Sequence, residues 1–175
     1  MTNLMKIAAA VAALSALATP ALAQNSATAS TTGSVKIIQP ISLAKDTDLA
    51  FGSVVKPTSG TNTVAIDASN GTRGLTGGGD AALAPSTSGR ATYTVTGEGG
   101  QTFSISAPTS FDMTRQGGSE TLTVALTKSA ATGTLSGSLG SSGAATFGVG
   151  GSFSVASTTA TGSYSGTFDV TVAYN

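Results

Sequence analysis

The chain has 175 residues, eight basic and eight acidic side chains, and no His, Cys or Trp. Without His or Cys, the commonest nucleophile–base pairs, metal sites and disulfides cannot be assembled within it. Charge this sparse and balanced offers no long run to attract nucleic acid or an anionic membrane surface.

Residues 1–23 have the layout of a secretory signal peptide. Lys6 is the positive n-region, residues 7–17 form an apolar h-region, and Ala21-Leu22-Ala23 is a small-x-small cleavage site. The apolar stretch falls short of the roughly 20 residues a spanning helix needs. An exported protein is therefore expected in the periplasm, at the cell surface or outside the cell, with no membrane span after removal of the leader. Residues 24–34, small and polar, predict a flexible N-terminal arm that nevertheless keeps a strand phase. Ala27, Ala29, Thr31, Gly33, Val35 and Ile37 share one face. That face leads into a strand expected to end before Pro40, since proline suits an edge or a bend. Residues 35–175 are expected to form a single domain.

Residues 41–44 predict a short strand, and Lys45-Asp46-Thr47-Asp48 a polar turn. Residues 49–55 read as a strand interrupted at Gly52, a bulge position. Residues 62–68 alternate with Val64 and Ile66 inward. Residues 69–89 contain Asn70-Gly71, Gly77-Gly78-Gly79 and Pro85, and predict a long loop with one short strand at 73–75. Ala91, Tyr93 and Val95 then alternate with Thr92, Thr94 and Thr96. Turn residues 97–100 separate them from Phe103, Ile105 and Ala107, which is a hairpin pattern.

Leu122, Val124 and Leu126 alternate with threonines. Residues 129–150, rich in Gly, Ser and Ala, predict a loop with weak pairing at 144–149, and Phe153 and Val155 share a face beyond it. The longest clean alternation comes last. Tyr164, Gly166, Phe168, Val170, Val172 and Tyr174 lie on one face, with Ser165, Thr167, Asp169, Thr171 and Ala173 on the other. About seven to nine short strands with no helix after the leader predict an all-β antiparallel sandwich or barrel. A transmembrane barrel carries two aromatic girdles, whereas the six Phe and three Tyr here fall mostly singly on inward faces.

No constellation for catalysis emerges, so no enzymatic activity and no cofactor are expected. Ser42–Lys45 and Ser53–Lys56 have the Ser-x-x-Lys spacing, but that chemistry needs both groups on one helical face, and these segments read as strand and turn. Asp46 and Asp48 flank the predicted turn. Asp67-Ala-Ser-Asn-Gly71 lacks the later bidentate Glu of a calcium loop. The glycine clusters join no strand to a helix and precede no Lys, so they do not cradle phosphate. Asn70-Gly71-Thr72 has the form of a glycosylation sequon. A binding module would use exposed loop groups, of which Arg73, Asp80 and Arg115 are the candidates.

The closing run also carries a resemblance. Tyr174 is penultimate, Gly162 stands fourteen residues from the end, and Phe168, Val170 and Val172 lie between. Together with Leu49-Ala-Phe-Gly-Ser-Val-Val55, these residues resemble subunits of pili assembled by the chaperone–usher route. In chain order, Ile38-Gln-Pro-Ile-Ser-Leu43, Leu49-Ala-Phe-Gly52, Ala91-Thr-Tyr-Thr-Val-Thr-Gly97, Phe103-Ser-Ile-Ser106 and the run from Gly162 resemble the domain-of-unknown-function family numbered 4402. The pilus resemblance implies an immunoglobulin-like sandwich completed by the N-terminal arm of another subunit. It also implies copies of itself or related subunits, and a periplasmic chaperone, as partners. The arm row Ala27, Ala29, Thr31, Val35 and Ile37 would then be the donor, although its first three members are small and fill a groove poorly. These features lead to the expectation of a non-enzymatic structural protein of the cell surface, the alternative being a monomeric extracellular binding module such as an adhesin or carbohydrate-contacting domain.

Overall fold

The computed structural model describes residues 26–175. The chain divides into two units, Met1–Lys36 and Ile37–Asn175. In the first, residues 26–36 have no regular secondary structure and are exposed. The expected signal peptide lies outside the described residues.

The second unit is all-β. Its strands are β1 (Ser42–Thr47), β2 (Val54–Val55), β3 (Thr61–Ile66), β4 (Arg73–Gly77), β5 (Ala82–Leu83), β6 (Ala91–Glu98) and β7 (Thr102–Ser106). They continue with β8 (Ser110–Arg115), β9 (Thr121–Lys128), β10 (Thr132–Thr134), β11 (Ser142–Ala156), β12 (Tyr164–Ser165) and β13 (Thr171–Tyr174). The large sheet runs β1-β6-β11-β9-β8-β12, with β3 added to β11 and β4 to β3. A second sheet runs β10-β7-β13, and β2 and β5 form a ribbon. Every pairing is antiparallel, as in a sandwich.

Strand β11 is the spine. Its first half pairs with β6, from Ser142↔Glu98 to Val149↔Ala91, and its second half with β3, from Gly151↔Ile66 to Ala156↔Thr61. Its other edge meets β9. Odd-numbered side chains of β11 face inward and feed two cores. Phe147 and Val149 join Tyr93, Val95, Phe103, Ile105 and Leu135 in the first. Phe153 and Val155 join Phe51, Val64, Ile66 and Val124 in the second. Burying each Val, Ile or Phe of this kind contributes about 1.5–3 kcal/mol. Stacked Tyr93 and Phe147 rings lie 5.1 Å apart in the first core, and Phe51 meets Phe153 edge-on at 4.9 Å in the second.

The inward rows of β3, β6, β7 and β9 match the sequence alternation, and several expectations are corrected. Residues 129–150 are not mainly loop, because β11 is the longest strand. Its glycines mark close backbone approach rather than turns: a Cβ on Gly148 would meet the Ala68 carbonyl, and one on Gly150 the Ile66 carbonyl. The predicted β6–β7 hairpin is absent. Residues 99–101 instead carry the chain from one sheet to the facing one, so Phe103 and Ile105 pack across the core from Tyr93 and Val95. The strand expected before Pro40 does not form. The Lys45–Thr47 turn is strand, with a register shift that lets Thr47 oppose Thr92. The loop at 69–89 contains both β4 and β5, and β8 is an element the alternation did not reveal. Among the described residues strands number thirteen rather than seven to nine, four of them only two or three residues long. Among the described residues no helix is long and apolar enough to cross a membrane.

Candidate strand-addition cleft

The C-terminal run keeps its alternation but is not one strand. Strand β12 pairs with β8 in the large sheet, residues 166–170 join no ladder, and β13 pairs with β7 in the second sheet. The run therefore crosses from one layer to the other along the side of the sandwich. At its start, Gly162 has φ +150°, where a side chain is strained, and a Cβ there would press on the Arg115 stem. Phe168, Val170, Val172 and Tyr174 pack on the first core but remain half-buried. Phe168 touches Phe111 with ring centres 4.9 Å apart. The inward rows of β6 and β7, by contrast, are buried almost completely.

Tyr174 closes a polar clasp. Its hydroxyl accepts the Glu98 backbone N–H at 2.7 Å and donates to the Gln39 carbonyl at 2.9 Å. The Glu98 carboxylate, in a residue only 2% exposed, accepts the Gln39 N–H at 3.1 Å and also the Gly140 N–H. Both backbone groups of Gln39 are thus held where the chain enters the domain. Gly97 makes room for this arrangement, since a Cβ there would collide with the Tyr174 hydroxyl. The sequence signalled Tyr174 through its phase. Glu98 gave no such signal, because its position on β6 has the outward phase.

Beside the start of the run lies a cleft of about 520 Å³. One wall is residues 49–54, held to the rest through the Ala50↔Gly89 bridge, the short β2–β5 ribbon, the Arg73 bond to the Phe51 carbonyl and the packing of Phe51 on Phe153. The other wall is residues 159–164. Met113, Leu122, Phe153 and Val155 line it with apolar surface. Tyr164 turns its hydroxyl to the Ala160 carbonyl at 2.8 Å, which leaves its ring as part of the wall. A larger depression of about 630 Å³ lies over residues 65–70 and Ser152. There Asp67 accepts the N–H groups of Ser69 and Asn70, so its carboxylate closes a turn.

The loop groups named from sequence turn out to be braces. Arg73 sits on β4 and donates to the carbonyls of Phe51 at 2.9 Å and Ala84 at 2.8 Å. Asp80 accepts the Thr58 hydroxyl at 2.5 Å and the N–H groups of Thr58 and Ser59. These bonds, the Thr58 hydroxyl foremost, hold its carboxyl below the usual range. Arg115, on β8, forks onto Glu120 at 2.7 and 3.0 Å and holds that carboxyl low in turn. Asp46, expected in a turn, lies on β1 and accepts the Thr94 hydroxyl at 2.8 Å. Among the described residues no cluster of His, Cys, Asp or Glu is arranged to hold a metal ion. The arm residues Ala27, Ala29, Thr31, Val35 and Ile37 are all exposed and belong to no ladder, Val35 at 83% and Ile37 at 84%.

No curated protein and no solved structure matches the chain. One family does, over residues 41–174, which span the domain from just before β1 to the last residue of β13. On that match the chain belongs to the family described as Domain of unknown function (DUF4402).

Proposed function

We propose that this chain is an exported, non-enzymatic structural subunit with an immunoglobulin-like sandwich, which assembles at the cell surface by strand addition. The cleft carries this reading. It is a trough with Met113, Leu122, Phe153 and Val155 as apolar lining and polar groups such as Ser53, Thr161 and Ser163 along its sides, between two walls that lack a strand partner across it. An extended segment with one apolar and one polar row suits such a site.

The arm supplies matching chemistry. Burying a Val or Ile contributes about 1.5–3 kcal/mol, against roughly 0.8 kcal/mol for a single methyl-sized group. Val35 and Ile37 therefore dominate the donor row, and Ala27, Ala29 and Thr31 add mainly main-chain pairing. Reach decides which cleft they fill. The clasp holds Gln39 beside Glu98, which is opposite Ser142 at one end of β11, whereas the cleft lies at Phe153 and Val155 near the other. Eleven residues of strand separate Ser142 from Phe153, about 36 Å of strand at about 3.3 Å per residue. Val35 is four residues from Gln39, a span of at most about 14 Å. The donor is accordingly the arm of a second copy or a related subunit.

The test is the double substitution Val35→Asp with Ile37→Asp in the full exported chain, followed by size-exclusion chromatography with light scattering. The unsubstituted protein is expected to form concentration-dependent higher species and the variant to run as a monomer of unchanged thermal midpoint. Identical profiles would overturn strand addition and favour a monomeric binding module.

A further inference from the structure

Lys56 belongs to the cleft in a way the sequence pattern did not announce. It follows β2 on one wall, and its ammonium reaches the opposite wall, donating to the Ser157 carbonyl at 2.9 Å and the Thr159 carbonyl at 3.4 Å. The receiving turn is braced from within. The Thr159 N–H donates to the Ala156 carbonyl at 3.0 Å, and the Thr159 hydroxyl accepts the Ala156 N–H at 2.9 Å. Pro57 is fully buried immediately after Lys56 and fixes the backbone behind it. Two braced walls are thus joined by one cationic strut at the end where β2 and β11 finish.

We infer that Lys56 closes this end of the cleft and sets the register of the incoming strand by donating to one of its main-chain carbonyls. This inference rests on the strand-addition reading above. An ammonium carries three N–H donors, and two are spent on the opposite wall. The third is available to a carbonyl oxygen at the end of an entering strand. A one-residue slip of that strand would turn its apolar row away from Met113, Leu122, Phe153 and Val155, so a fixed end-stop supplies what those non-directional contacts alone lack. The same strut keeps residues 157–159 at a constant distance from β2 and so holds the width of the mouth. Lys56 is exposed, which separates its role from core stability.

The acceptor for the test is the full chain carrying Val35→Asp and Ile37→Asp, so that its own arm is silent. The probe is a fluorescent synthetic peptide of residues 24–38, and the readouts are its dissociation constant and the thermal midpoint of the acceptor. Adding Lys56→Met is expected to weaken the peptide at least about fivefold, the loss of one charge-assisted hydrogen bond and of the braced wall. Lys56→Arg is expected to restore binding to within about twofold. In the Lys56→Met protein, hydrogen exchange at residues 157–161 should rise while β6 and β11 stay protected. Equal peptide affinity with and without the Lys56→Met substitution would overturn the end-stop and leave strand addition standing. Absence of peptide binding with Lys56 intact would overturn both. A loss of affinity that only follows a lowered thermal midpoint, with no rescue by arginine, would reduce Lys56 to a structural brace and defeat the inference.

Discussion

Replacing Tyr174 by Phe deletes one oxygen atom, and with it the two hydrogen bonds that join the end of β13 to Glu98 and Gln39. The costs of the two are unequal. The Gln39 carbonyl is exposed and regains a water partner, whereas the Glu98 N–H belongs to a residue 2% exposed and is left without its acceptor. An unsatisfied buried donor costs about 1–3 kcal/mol, and a bond that water replaces costs less. The expected loss is therefore about 1–3 kcal/mol in urea denaturation, or about 2–4 °C of thermal midpoint for each kcal/mol in a domain of this size. A second substitution isolates the contact. Gly97→Ala drives a Cβ into the Tyr174 hydroxyl, so it should destabilise the native chain more than it destabilises the Tyr174→Phe variant. A coupling of about 0.5 kcal/mol or more in that double-mutant cycle is expected. A Tyr174→Phe variant within about 0.5 kcal/mol of the parent, with additive behaviour at Gly97, would refute the clasp as the device that anchors the domain entry.

Two further outcomes are expected. Gly150→Ala places a Cβ against the Ile66 carbonyl and within 2.7 Å of the Ala68 N. Both neighbours are backbone, so the domain should lose about 1–3 kcal/mol or fail to fold, and a far-UV circular-dichroism melt matching the parent would contradict the close β3–β11 approach. Asp80 has a folded-state pKa below its ordinary value because Thr58 and Ser59 donate to it. Its contribution is therefore complete above the ordinary Asp value, near 3.9, and is lost as pH falls through the depressed one. Asp80→Asn should lower the urea midpoint at pH 6 and approach the parent near pH 3, and a gap independent of pH would show that the carboxylate charge is not what Thr58 and Ser59 recognise.

Much of the fold was legible because side chains on a strand alternate strictly. Ala91, Tyr93 and Val95, or Leu122, Val124 and Leu126, declare a buried face by their spacing alone. What alternation does not declare is the partner. Strands β6 and β7, separated by a turn-like stretch, read as a hairpin, yet they belong to facing sheets, since the same inward rows satisfy either arrangement. Glycine misled in the same way. In residues 142–156 it permits the Ala68 and Ile66 carbonyls to approach, and nothing local distinguishes that use from a turn. For the candidate site, the arm row and the C-terminal row were visible as phase. The cleft was not, because its walls come from residues 49–54 and 159–164 and its apolar lining from β8, β9 and β11.

By itself the sequence determined an all-β antiparallel fold without disulfides, the inward faces of most long strands, and the alternating rows of residues 27–37 and 164–174. These are local properties, set by side-chain type and period two. Tertiary structure alone decided that β11 would be the shared spine of two cores, that the C-terminal run would change sheets, and that Tyr174 and Glu98 would hold Gln39. It also turned Arg73, Asp80 and Arg115 into braces and set Lys56 across the mouth of a cleft. Each of these depends on which distant backbone groups are brought within hydrogen-bonding range, and that depends on how the sheets pack together.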